Sequence, residues 1–383
     1  MATEPFFELL NVPIYCNLLW SDQQAARNCP KGDIKLAFHA DTGLITNVAF
    51  DPDQLGYDQD YENSLHYSPR FQAYAQTLAA DLVERHRLYG KRIIEIGCGK
   101  GDFLISLCQL GQNQGIGFDP SYVPRPEHES RADQVQFIQD YYSTHYANYQ
   151  ADFICCRHML EHVPYPTDLL RSVRQALGDR LDTILFFEVP NAAYTFRHLA
   201  IWDIIYEHCC YFVEFSLAQA FIRSGFQVER TYTTFNDQFL CLEARPVQES
   251  THIGSSQDER SAIAALKTDL VHFNTQFQTK IHAWEDAIAQ LSAKRQRVVV
   301  WGAGSKGVTF LNLLQNPASV DYVTDINLRK QGKYIAGTGQ EIVPPDSLRN
   351  YQPDIIIIMN PIYQDEIQSM TVKLALEPEF ICA

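Results

Sequence analysis

Two short stretches of this chain hold side chains that could move a proton. Residues 202–212 read WDIIYEHCCYF, with Glu207 beside His208 and Tyr206 directly before them. An imidazole titrates near neutral pH and a neighbouring carboxylate orients it and raises its basicity, so His208 is the candidate general base and Glu207 its partner. Tyr206 is placed to donate to a developing oxyanion or to share the proton. The run ADFICCRHMLEHVPYP (151–166) brings His158, Leu160, Glu161 and His162 to the end of an apolar stretch. A base of this kind, set against an acidic C–H bond, would generate a carbon nucleophile.

The elements that must position these groups read as α/β. IIEIGCGKGDF (93–103) is a buried strand turning into a helix through Gly97, Gly99 and Gly101, where missing side chains let backbone amides approach a ligand. Glu95 ahead of the glycines gives E-x-G-x-G-x-G, which points to S-adenosylmethionine rather than a dinucleotide. GQNQGIGFDP (111–120) reads as a second strand, and its closing Asp119 lies where a carboxylate takes both ribose hydroxyls. VQFIQDYY puts Asp140 after a third apolar stretch, positioned for the adenine amino group. His158 is expected as a neighbour of the cofactor. In open α/β sheets ligands bind at the carboxyl edge, where all these residues fall.

The series EIGCGKGDF, GIGFDPSY, ICCRHMLEHVPYP and FFEVPN resembles the class I S-adenosylmethionine-dependent methyltransferases over roughly residues 70–245. WDIIYEHCCYF, just past VPN, is similar to a loop of the sugar C-methyltransferases that act on nucleotide-linked keto-deoxyhexoses. The resemblance implies a small N-terminal domain (1–70), a methyltransferase domain (71–246), a linker and long helix (247–296) and a C-terminal Rossmann-like domain (297–383) on the substrate side. It also implies the reaction: a base removes the proton beside the ketone of a nucleotide-activated 4-keto-6-deoxyhexose, and the enolate carbon accepts the methyl group. In that family one residue separates the tyrosine from the glutamate, whereas Tyr206 abuts Glu207 here. The resemblance further implies that YDQDYENSLHYSPRFQAYAQ closes over the site with Tyr61 on the substrate. By its residues alone that segment is a helix start, Ser68 capping and Pro69 in the first turn. Further substrate contacts are expected from Asn191, Gly302, Ser305, Lys306 and Asn360. Methyl transfer to oxygen or nitrogen of another small molecule, and a catalytically silent nucleotide-binding protein, remain the competing functions.

VVVWGAGSKGVTFLNLL repeats the strand-glycine-helix design with Gly302, Gly304 and Gly307, and DYVTDIN places Asp325 at the next strand end. These residues leave an NAD site open; the resemblance assigns the domain to the substrate instead. Between the two Rossmann-like segments, residues 258–296 lack Gly and Pro and repeat apolar residues from Ile263 to Leu291 at helical spacing, predicting one long amphipathic helix. The N-terminal segment carries short strands and turns. Relatives hold zinc there with cysteine pairs, but this chain reads His39-Ala40-Asp41-Thr42-Gly43. Cys16, Cys29 and His39 fall short of the four ligands of a structural site, so a metal-free domain is expected.

The formal net charge of −15 argues against nucleic acid as a partner. No apolar run reaches the roughly 18 residues of a membrane helix, and MATEPFFELL is acidic where a signal peptide is basic, so a cytoplasmic protein is expected. The 10 cysteines are scattered without C-x-x-C and read as small buried apolar residues.

Overall fold

The apolar runs of the sequence become sixteen strands in a computed structural model that describes residues 4–57, 59–125, 131–248 and 257–383. In chain order they are β1 (Pro5–Pro13), β2 (Lys31–Phe38), β3 (Ile45–Asn47), β4 (Arg92–Ile96), β5 (Gln114–Phe118), β6 (Val135–Ile138), β7 (Phe153–Arg157) and β8 (Ile184–Pro190). There follow β9 (Cys210–Tyr211), β10 (Phe226–Thr234), β11 (Phe239–Pro246), β12 (Val298–Trp301), β13 (Tyr322–Thr324), β14 (Glu341–Val343), β15 (Ile355–Ile358) and β16 (Glu379–Cys382).

They form three sheets. The central one runs β10-β11-β8-β7-β4-β5-β6, parallel except that β11 lies antiparallel between β10 and β8. The C-terminal sheet, β14-β13-β12-β15-β16, is parallel throughout. Strands covered on both faces read as continuous apolar runs rather than alternating ones; β7 and β15 are buried along their whole length. In each sheet the chain order reverses beside the first strand. β4 has β5 on one side and β7 on the other, and β12 has β13 and β15, so the loops leaving these strands diverge and open a crevice.

The small antiparallel sheet runs β1-β2-β3-β9. Its last strand follows the Glu207-His208 segment directly, so N-terminal strands and candidate base are joined through the β3–β9 pairing. The long helix is Gln257–Ala293. Its buried stripe packs on β1, where Phe7 meets Phe277 at 4.7 Å between ring centres, and on the C-terminal domain, where Trp284 meets Phe310 at 5.1 Å. Cys16, Cys29 and His39 have separate surroundings: the Cys16 amide donates to Glu207, the Cys29 amide to the Ala26 carbonyl, and the His39 ring meets Thr46. Among the described residues no helix is long and apolar enough to cross a membrane.

Candidate active site

β4 ends at Ile96 and the chain turns at once. Gly97 and Gly99 hold φ of 69° and 53°, the left-handed region glycine enters without cost. A side chain at Gly97 would strike Met159, while the space beside Gly99 is open and faces a crevice of about 260 Å³. The Gly99 amide donates to Asp119 Oδ2 at 2.8 Å, and the amide of Ser121 donates to Oδ1 at 2.8 Å. Each carboxylate oxygen has two acceptor sites; the Ser121 hydroxyl takes the second on Oδ1 at 2.6 Å, so Asp119 braces the loop and keeps an acceptor site on Oδ2 for a ribose hydroxyl. Glu95 lies at the crevice floor, buried, with Oε2 lacking a hydrogen-bond partner. Burial pushes its carboxyl up to about 8 despite the nearby Arg157. A buried, unmet carboxyl is a seat for a cation. Asp140 lines the same crevice and accepts from the Tyr141 amide and the Tyr146 hydroxyl. S-adenosylmethionine fits this donor set, with a diol for Asp119, positive charge for Glu95 and an exocyclic amine for Asp140. Gly101 differs from expectation: it turns toward the Phe137 ring and is a packing glycine, not part of the crevice wall.

A second cavity, about 300 Å³, lies against the first. Three parts of the chain wall it: Tyr61 and Ser64 from the N-terminal segment, His158, Glu161 and His208 from the central domain, and Gly302, Ser305, Lys306 and Asn360 from the C-terminal crevice. Tyr61, His158 and His162 border both cavities. His158 has φ of 51°, unusual for a residue other than glycine, and its Nε2 lies 2.8 Å from Glu188 Oε1. Burial alone would raise the Glu188 carboxyl, but Arg157, 2.8 Å away, and His158 hold it at about 2.

His208 and Ile205 stand at the two ends of a turn closed by the His208 amide on the Ile205 carbonyl, and both face the cavity. The residues between them point elsewhere, which corrects two expectations. Tyr206 is buried in the small sheet, its ring 5.4 Å from that of Phe50 and pressed on Gly32, its hydroxyl accepting from the Asp51 amide at 3.0 Å. Glu207 turns to the Cys16 amide, 3.1 Å from its Oε2, and to Tyr61. Burial pushes that carboxyl up to about 7. The acid brought near the imidazole is Glu161: ligand atoms of Glu161, His162 and His208 all lie within 4.8 Å of one another. His162 Nδ1 is 2.9 Å from the Glu207 carbonyl, which orients the ring. Burial holds all three uncharged, Glu161 raised to about 8, His162 lowered to about 4, and His208 lowered well below the usual imidazole range with further help from His162.

Asn191 also differs from expectation. It caps the helix Ala192–Arg197, accepting from the Ala193 amide at 3.2 Å and donating to the Asp237 carbonyl at 2.8 Å, and leaves the cavity wall to Pro190. Lys306 forms an ion pair with Asp203, and Asn360 pairs its amide with Gln238 at 2.8 Å. Asn17, Gln238 and Lys330 line the cavity without having been anticipated, because each comes from a turn or loop whose residues follow no periodic pattern.

Residues 71–231 match the family model described as a methyltransferase domain, and residues 242–382 match that of the C-methyltransferase C-terminal domain. The ubiquinone biosynthesis O-methyltransferase of Escherichia coli O127:H6 is 33% identical over 109 residues, 27% of this chain and 45% of the relative. Its counterpart in Shigella boydii serotype 18 is 32% identical over 109 residues with the same coverage. The chain thus spans about half the length of the curated relatives it matches. Among solved structures, the Burkholderia thailandensis 1,6-didemethyltoxoflavin-N1-methyltransferase aligns with TM-score 0.36 and 16% identity over 47% of this chain and 82% of its own. The magnesium protoporphyrin IX methyltransferase of Synechocystis PCC 6803 aligns with TM-score 0.35 and 20% identity over 46% and 84%. The two adjoining family matches, read with the sheet order and the glycine crevice, place the chain among the class I S-adenosylmethionine-dependent methyltransferases, with S-adenosylmethionine as its cofactor.

Proposed function

We propose that this chain is a C-methyltransferase acting beside the ketone of a nucleotide-activated 4-keto-6-deoxyhexose. The observation that carries the reading is that the cofactor crevice and the C-terminal crevice meet at one cavity, with His158 and His208 on its wall. When bound, S-adenosylmethionine supplies a methyl group on a positively charged sulfur, open to attack by a carbon nucleophile. Making that nucleophile falls to His208. Burial keeps the imidazole neutral at physiological pH, so its lone pair is free to take the proton. The C–H bond breaks, its electron pair moves into the enolate, and the proton rests on His208 beside Glu161 and His162. Tyr61, backed by Glu207 and bordering both cavities, takes the place at the enolate oxygen that Tyr206 cannot reach. Ile205, Phe239 and Met359 give the wall its apolar part and exclude water.

The test is to incubate the protein with a panel of 4-keto sugar nucleotides in deuterated water, with and without the methyl donor. Exchange of one carbon-bound proton without donor, and label from S-adenosylmethionine on that carbon when it is present, is the expected result. The likeness to O-methyltransferases supports a second reading, transfer to oxygen or nitrogen, which needs no base able to break a C–H bond and would show no exchange. The Glu161-His162-His208 group has the composition of a cation seat. Turnover lost on chelation and restored by a divalent metal would make His208 a ligand and overturn its role as base.

A further inference from the structure

We infer that the C-terminal crevice reads the ribose of the substrate's nucleoside through Asp325, so that the protein selects a ribonucleotide-activated sugar over its 2′-deoxy counterpart. This rests on the reading of the substrate as a sugar nucleotide. Asp325 lines the shared cavity at the end of β13. Its Oδ2 accepts from the Ala303 amide at 2.7 Å and its Oδ1 from the Asn327 amide at 2.8 Å. Asp119 in the cofactor crevice is held the same way, by one amide of its glycine loop and one two residues downstream. At Asp325 one acceptor site per oxygen is spent on the backbone and another is left for a hydroxyl, which is the arrangement a cis-diol needs; at Asp119 the Ser121 hydroxyl also donates to Oδ1, at 2.6 Å, and the free site is on Oδ2.

Three observations assign this second diol site to the substrate rather than to another copy of the cofactor. Val300 stands two residues before Gly302, where the cofactor crevice has Glu95 two residues before Gly97, so the floor of this glycine loop carries no carboxyl. The charged groups at the phosphate end of the crevice include Lys306 and the buried Lys330, whose Nζ donates to the Ala303 carbonyl at 3.0 Å. At the other end of the same cavity Glu161 is buried with Oε2 unpartnered, a polar group for which the protein itself supplies no partner. A ligand with its ribose on Asp325 and its diphosphate over the glycine loop therefore points its sugar at His208.

The experiment is calorimetry on the full chain saturated with S-adenosylhomocysteine, titrated with UDP, ADP and GDP, with their 2′-deoxy forms, with dTDP and with NAD. At least one ribonucleotide is expected to bind about 10–100-fold more tightly than its 2′-deoxy form, the loss that follows when a carboxylate hydrogen bond goes unmade. Asp325→Asn should shrink that ratio while S-adenosylhomocysteine affinity stays as in the parent. Equal binding of ribo and deoxy forms overturns the inference and leaves the sugar-nucleotide reading intact. Binding of none of the diphosphates removes that reading itself, and NAD binding more tightly than every diphosphate overturns the inference in favour of a dinucleotide.

Discussion

The loops after β4 and β12 share a backbone plan and differ in charge. Both leave a strand buried at its carboxyl end, run through spaced glycines into a helix, and are braced by an acid from the neighbouring strand, Asp119 in one and Asp325 in the other. Around that common plan the charges differ. The first crevice has Glu95 on its floor, Asp102 at the helix start and Asp140 on its rim, with Lys100 and Arg157 beside them, whereas the second has Val300 where Glu95 stands and carries Lys330 and Lys306, the latter paired with Asp203. Under the function proposed above, the shared geometry would let each loop hold a ribose, and the surrounding groups would suit one to a cationic ligand and the other to a phosphorylated one. Between them lies a shared wall, the His158, Glu161, His162 and His208 group, of which His158 and His162 border both cavities.

That division predicts the largest effect at the wall. His208→Asn should leave cofactor affinity unchanged while turnover falls by ~10²–10⁴, the range for loss of a general base. Exchange of the substrate proton with solvent should fall in step, since one base serves both. A variant that still exchanged at the parent rate would return His208 to a positioning role and leave Tyr61 as the base. The next effect is confined to one crevice: Asp119→Ala should weaken S-adenosylmethionine binding by roughly 1–3 kcal/mol, from charged hydrogen bonds left unmade. Calorimetry giving unchanged affinity would take Asp119 out of the site and break the parallel with Asp325.

Glu95 and Val300 sharpen the comparison further. The Glu95 carboxyl, pushed up to about 8 by burial, is mostly protonated at pH 7 in the free protein. A cation arriving beside it favours the ionised form, so cofactor binding at pH 7 should release close to one proton. Titrations in two buffers of different ionisation enthalpy read this directly. Proton release should be absent in Glu95→Gln. Zero release in the parent would mean that the carboxyl is already ionised before the cofactor arrives.

How much of this was legible in the sequence divides along the same line. The two glycine loops, the acids Asp119 and Asp325 and the long helix were readable because each is a local pattern: fixed spacing after an apolar run, or a stripe at helical period. The catalytic loop was readable in place but not in direction. Adjacent residues in a turn face opposite ways, so Ile205 and His208 reach the cavity while Tyr206 and Glu207 are drawn under the small sheet by β9 pairing with β3. Nothing in the string WDIIYEHCCYF states that register. The proximity of His208 to Glu161 was equally hidden, because it brings together residues 47 positions apart through the β7 loop. Lys330 and Asn17 meet only because the N-terminal segment folds onto the C-terminal domain, a contact 313 residues long in sequence.

The smallest expected effect concerns stability, and it separates the buried acids from the buried imidazoles. Burial raises the carboxyls of Glu95, Glu161 and Glu207 from the usual 4.5 to about 8, 8 and 7. A raised acid contributes stability that is fully present below pH 4.5 and is lost as pH climbs through the folded value, because only the unfolded chain has released the proton. His162, lowered from 6.5 to about 4, does the reverse: its contribution is full above 6.5 and is lost as pH falls toward 4. Above 6.5 the imidazoles no longer oppose the acids, so the melting temperature of the cofactor-free protein should fall between pH 6.5 and 8. Glu161→Gln needs no proton to stay neutral and should fall less steeply, by a few degrees at roughly 2–4 °C per kcal/mol for domains of this size. Glu95→Gln should behave likewise only without cofactor, since bound S-adenosylmethionine already favours the ionised form. Parallel curves for the parent and Glu161→Gln would mean that Glu161 is ionised at neutral pH, the state it would take beside a bound cation, and would move the wall group from proton transfer to metal binding.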